Sequence, residues 1–193
     1  RPVLTDLYDN FLAGEEVSIF PSRGSNAVPI AFNPDTGLVY TSTWNVPRIQ
    51  KIAPPKEQVI GTNSTGVVAR SPRFEPGAIL GHFLAIDPLT GKKHWEIQLA
   101  DIPSSAGMLA TGGGLVFTGR PTGEFIGLDE ATGETLWQFK TGSSINSTAI
   151  TYTHKGRQYV TVASGLGGGL ANRYAAGKVS TGGSVWTFAL MAE

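Results

Sequence analysis

Residues 81–99 (GHFLAIDPLTGKKHWEIQL) and 123–141 (GEFIGLDEATGETLWQFKT) repeat each other at an offset of 42 residues. The pairs Gly81/Gly123, Phe83/Phe125, Asp87/Asp129, Thr90/Thr132, Gly91/Gly133 and Trp95/Trp137 are identical, and apolar positions match between them. Each copy reads as a strand, a tight Asp-x-x-Thr-Gly turn and a second strand carrying Trp. An upstream echo pairs 37–41 (GLVYT) with 114–118 (GLVFT). A period near 42 residues with about four short strands is the signature of propeller blades, each of which hides its faces only against neighbours.

Composition agrees with that reading. The 193 residues include 25 Gly and 12 Pro, and only 16% are charged, below the usual figure of about 25%. Many glycines and few charges disfavour long helices and suit short strands joined by tight turns. Fifteen basic residues balance fifteen acidic ones, which argues against nucleic acid or an acidic membrane surface as a general partner. No apolar run is long enough to insert in a membrane as a helix. The absence of cysteine excludes disulfides, thiolate metal sites and Cys-x-x-Cys-His haem attachment within this sequence.

The expected fold is all-β, with about three blades: 28–99 carrying an insertion at 44–79, then 106–141, then 147–190. Propellers close with four to eight blades, so three leave open sheet flanks. The remaining blades, or another chain, are the expected partner. The insertion holds Pro47, Pro54, Pro55, Pro72 and Pro76 and reads as a long ordered loop, either functional or a surface cover.

Most chemistry-bearing residues have a structural reading. Asp87 and Asp129 begin equivalent turns, where a carboxylate caps backbone N–H groups rather than acting as a catalytic pair. Trp95 and Trp137 read as wedges between blades. His82, His94 and His154 lie at no metal-ligand spacing. The run 165–170 (GLGGGL) lacks the last glycine and the helix of a dinucleotide fingerprint, Gly177-Lys178 is followed by Val179 rather than Ser or Thr, and Ser164 lacks the flanks of a nucleophile elbow. The glycines after the strand at 158–163 stay unexplained; they let backbone approach a flat or anionic group, or form a loose connection.

At that loop the sequence resembles a family. Residues 152–169 (YTHKGRQYVTVASGLGGG) look like the last-blade segment of the pyrroloquinoline quinone (PQQ)-dependent alcohol and methanol dehydrogenases. Residues 110–119 and 125–140 resemble the blade before it, and 21–26 with 32–40 an earlier one. The match follows the family's order over nearly the whole chain and corresponds to about the C-terminal third of such an enzyme.

The resemblance implies an eight-bladed ring holding PQQ near its axis beside Ca2+ or a lanthanide ion bound mainly by other parts of the enzyme. It further implies a small alcohol substrate, a cytochrome c-type electron acceptor and a periplasmic location. The family's catalytic aspartate and metal ligands lie in earlier blades, so no catalytic residue is assigned here. Asn45 matches an asparagine whose amide bonds the cofactor, Asn26 sits in a motif that usually reads Asn-Trp, and Gly167, Gly168 and Gly169 match a loop whose backbone meets the cofactor. Arg173 and Lys178 would offset the cofactor's carboxylates. Ala27 replaces the motif's Trp, and methanol-oxidising members carry Trp where Gly169 stands and near Ser105. These departures fit either a pocket opened for a larger alcohol or a non-catalytic propeller scaffold that binds proteins.

Overall fold

The computed structural model describes residues 6–22, 24–25, 28–54, 59–61, 65–167 and 174–189. Among them lie a helix, α1 (Asp6–Leu12), and the strands β1 (Val17–Ile19), β2 (Ala31–Asn33), β3 (Leu38–Trp44), β4 (Arg48–Ile52), β5 (Val67–Arg70), β6 (Ile79–Ile86), β7 (Lys93–Ala100), β8 (Leu109–Ala110), β9 (Leu115–Gly119), β10 (Glu124–Asp129), β11 (Thr135–Lys140), β12 (Ile150–His154), β13 (Arg157–Gly165) and β14 (Gly183–Ala189).

Three of the four sheets are antiparallel meanders: β2-β3-β6-β7, β8-β9-β10-β11 and β12-β13-β14. The repeat survives in register. Trp95 faces Ala85 across one strand pair and Trp137 faces Gly127 across the equivalent pair. The insertion is not the plain loop its prolines suggest. Its strands β4 and β5 pair with each other, and β4 also pairs with β1, in a separate three-stranded sheet, in which most side chains are exposed or half-buried.

The core lies between consecutive blades. Leu38, Tyr40, Phe83 and Trp95 of the first meet Met108, Val116, Ile126 and Leu128 of the second. Phe125, Ile145 and Val162 form the next core, between the second and third. Trp95 docks as a wedge: it is buried, its Nε1 donates to Glu130 O of the next blade at 2.9 Å, and its ring lies beneath Gly133. A Cβ at Gly133 would stand 2.8 Å from the indole, and the residue's φ of +77° also favours glycine. Asn33 Nδ2 holds the Glu130 carboxylate of the same turn at 2.5 Å.

Trp137 also packs between neighbouring blades, as expected of it, but is less covered than Trp95. It packs edge-on to Phe117, Phe125 and Phe188 yet stays 38% exposed. Among the described residues the third sheet offers three strands against the four of the first, so less surface covers the indole.

The Asp-x-x-Thr-Gly turns behave as caps. Asp129 Oδ1 accepts from the Thr132 hydroxyl at 2.9 Å, Thr132 N at 2.8 Å and Ala131 N at 3.0 Å. Asp87 accepts from the Thr90 hydroxyl at 2.7 Å and Leu89 N at 2.8 Å. These bonds, the threonine hydroxyl foremost, hold both carboxyls below their ordinary value of 3.8. A lowered carboxyl stabilises the fold above its unfolded value, and that contribution is lost as pH falls through the folded value. The unfolding midpoint is therefore expected to decline as pH drops below about 4. Asp129→Asn should keep the turn, since Asn33 already caps the 33–37 turn by accepting Asp35 N at 2.9 Å, and should flatten part of that decline. Thermal melts across acid pH check this; an unchanged acid slope in the variant contradicts it.

Candidate functional site

In a four-stranded meander the first and third turns lie at one end, and the second turn and the connection to the next blade lie at the other. The capped turns 33–37, held by Asn33, and 87–91 and 129–133, held by Asp87 and Asp129, all fall at the first end. That separates Asp87 and Asp129 from the end where the connections between blades gather, and supports their structural role.

At the opposite end the loops are tied from blade to blade. Ser42 Oγ and Trp44 Nε1 both donate to Ser104 O, at 2.9 and 2.7 Å. Ser104 Oγ donates to Gly119 O at 2.9 Å. Ile145 N donates to Arg120 O at 3.2 Å, and Gly165 N to Ser144 O at 2.7 Å. A buried hydroxyl group backs the last of these: Ser164 Oγ lies 2.7 Å from Thr141 Oγ1, and Ser143 Oγ donates to Ser180 O at 2.6 Å. Thus both ends of the connection 166–182 are fixed to the preceding blade.

Asn45 stands at this end, directly after β3. It is half-buried; its backbone N donates to Leu80 O at 2.8 Å and its Nδ2 to Ile79 O at 3.4 Å. The second of these is long for an amide hydrogen bond, so the side chain is weakly held. Gly167 follows β13 at the same end. Its φ of +62° favours glycine, and the space where a Cβ would stand is open. Asn26, Gly168, Gly169 and Arg173 lie outside the described residues. Lys178 is exposed and lies beside the second blade's Arg120-Pro121-Thr122 turn.

Two further residues, neither assigned to the cofactor from sequence, lie at the same end as Asn45 and Gly167. Tyr174 packs edge-on to Trp44 at 5.9 Å between ring centroids, and its hydroxyl is buried without a partner. Asn146 donates from Nδ2 to Ser144 Oγ at 2.8 Å, while its Oδ1 is buried and unpartnered. A buried polar atom without a partner costs about 1–3 kcal/mol. These two atoms, one donor-acceptor hydroxyl and one amide oxygen, have the hydrogen-bonding capacity to serve a flat polar group bearing carbonyls and a ring N–H at this end of the blades. The one sequence hint was the Ser-Ser pair shared by the two inter-blade connections, Ser104-Ser105 and Ser143-Ser144.

The three histidines do not converge. His82 is half-buried, with Nε2 3.5 Å from Glu96 Oε1, whereas His94 and His154 are exposed. Among the described residues no cluster of three or more His, Asp or Glu is placed to hold a metal ion, and no helix is long and apolar enough to cross a membrane.

Residues 98–160 match the family described as the glucose/ethanol/alcohol dehydrogenase β-propeller domain that is named for PQQ. Over 87% of its length the chain is 37% identical to a quinohemoprotein alcohol dehydrogenase of Comamonas testosteroni, covering 25% of that protein. Over 93% it is 36% identical to a quinoprotein ethanol dehydrogenase of Pseudomonas putida, covering 29%. In structure it resembles a europium-containing methanol dehydrogenase, with a TM-score of 0.78 and 30% identity, over 92% of this chain and 35% of that one. A quinohemoprotein alcohol dehydrogenase of Pseudomonas putida HK5 aligns over the whole chain and 31% of its own, with a TM-score of 0.82 and 28% identity. The chain therefore spans about a quarter to a third of the length of these relatives. Blade repeat, sheet order and similarity agree: the chain belongs to the quinoprotein, PQQ-dependent alcohol dehydrogenase family and carries a stretch of that family's β-propeller.

Proposed function

We propose that this chain forms one wall of a PQQ pocket in a larger propeller that oxidises alcohols to aldehydes. The observation that carries the proposal is the gathering of Asn45, Asn146, Tyr174 and Gly167 at one end of the blades, two of them with buried, unpartnered polar atoms. When bound, PQQ supplies the acceptor for the hydride leaving the alcohol carbon, and a Ca2+ or lanthanide ion beside it supplies a Lewis acid. Asn45, Asn146 and Tyr174 would hydrogen-bond the cofactor's polar edge and fix its orientation. Asn26, Gly168 and Gly169 would extend the same wall. The catalytic base and most metal ligands would come from blades outside this chain, as would the docking face for a cytochrome c-type acceptor in a periplasmic enzyme.

The open flank of the third blade supports a larger ring. Among the described residues β14 pairs only with β13, every residue of β12 is exposed, and Ile150, Tyr152 and Val185 present apolar surface. Bare strand edges and apolar faces of this kind invite cover, here by the remaining blades.

The test is alcohol-dependent dye reduction by the full-length protein reconstituted with PQQ and either Ca2+ or La3+. Activity that needs both additions is expected; none with any primary alcohol, in protein that binds neither, would favour a non-catalytic propeller scaffold. Asn45→Ala is expected to weaken PQQ binding by about 1–3 kcal/mol, roughly 5- to 150-fold in Kd, as read by titration. Unchanged affinity removes Asn45 from the pocket.

A further inference from the structure

A second opening lies at the same end of the blades, apart from Asn45 and Gly167. It is a cleft of about 490 Å³ between the end of β7 and the 120–123 turn, reached by Lys178 from the third blade. Its apolar wall is Leu99, Ile102 and Pro121, all buried. Its charged groups are Arg120, Lys178 and Asp101.

Arg120 is the anomaly. Its side chain is half-buried, its Nε is shut away from solvent without an acceptor, and no carboxylate pairs with it among the described residues. Lys178 likewise has no carboxylate partner there. The nearby acid is already engaged, since Asp101 accepts Gly77 N at 2.6 Å. A guanidinium partly removed from water without a counter-ion is costly to keep, and its fork geometry matches a carboxylate in two-point contact. With Asp101 counted, the cleft carries one net positive charge. That charge suits a monoanion; a doubly charged phosphate would be under-compensated and would face the Asp101 carboxylate.

We propose that this cleft is a separate binding site for a small aliphatic carboxylate, with Arg120 and Lys178 holding the carboxylate and Leu99, Ile102 and Pro121 lining its hydrocarbon tail. The apolar wall separates this reading from a bare anion site, because an inorganic ion would leave it uncovered. Lys178, which the resemblance set against the cofactor's carboxylates, is assigned to this cleft instead, and no other cleft residue used here belongs to the wall formed by Asn45, Asn146, Tyr174 and Gly167.

The test is calorimetric titration of hexanoate into the full-length protein, with hexanamide as the uncharged control, in the absence and presence of PQQ. Hexanoate is expected to bind and hexanamide to bind at least tenfold more weakly. Arg120→Met should weaken hexanoate at least tenfold, and Lys178→Met by a smaller factor. Lys178 is exposed, so its variant reads binding without disturbing the fold, and circular dichroism checks Arg120→Met. Hexanoate affinity unchanged by PQQ supports a separate site. Absence of hexanoate binding, equal binding of hexanamide, retention of affinity in both variants, or displacement by PQQ each overturns the proposal.

Discussion

Trp95→Ala is expected to cost about 3–5 kcal/mol of stability. The indole is 8% exposed and sits in the core shared by the first two blades. It packs on Tyr40 at 5.9 Å between centroids, lies under Gly133 and donates to Glu130 O. Truncation removes the apolar contact, opens a cavity between two sheets and loses one of the bonds on the Glu130 carbonyl. That carbonyl keeps a weaker partner, the Tyr40 hydroxyl at 3.4 Å, so the cavity dominates the loss. Trp137→Ala should cost distinctly less within this chain, because its indole is already 38% exposed. Urea unfolding of the two variants, followed by circular dichroism, measures the difference. Equal losses would contradict the assignment of Trp95 as the inter-blade wedge.

Gly119→Ala should cost about 3 kcal/mol, at the upper end for overpacking a filled core. A Cβ built there lands 2.1 Å from Ile145 Cγ2 and 2.5 Å from Ile145 Cβ. Ile145 is fully buried, and its backbone N is tied to Arg120 O, so it has no room to retreat. Glycine is thus required at the point where the second blade touches the connection to the third. The double variant with Ile145→Ala tests the cause. Removing the clashing side chain should recover part of the loss, making the pair at least 1 kcal/mol more stable than the sum of the singles. Strict additivity would place the cost elsewhere than in this contact.

The elements legible in the sequence are those set by local chemistry. Asp129, Thr132 and Gly133 announce a turn because a carboxylate, a hydroxyl and a residue tolerant of positive φ are needed at fixed spacing, and the repeat at Asp87 doubled the signal. Tyr40, Phe83 and Phe125 fall on short apolar runs that are buried on both faces. The sheet formed by β1, β4 and β5 was hidden because its strands are short, mostly solvent-facing and set among prolines, so no alternation distinguishes them from loop. Trp137 looks identical to Trp95 in sequence; only the neighbouring blade decides whether an indole is covered. Asn45 stood out through resemblance alone, whereas the glycine loop was marked by its composition and only its role came from the resemblance. For Asn146 the Ser143-Ser144 pair was the only hint and Tyr174 had none, since lacking a hydrogen-bond partner is a property of packing rather than of the residue or its neighbours in sequence.

The most direct test of the account is an experimental structure of the full-length protein bound to PQQ. The three blades described here should appear as consecutive members of a larger ring, with the quinone at the end where β3 and β13 terminate, within hydrogen-bond reach of Asn45 and beside Gly167. Blades closed on themselves without further sheets, or a quinone lodged at the end capped by Asp87 and Asp129, would contradict it.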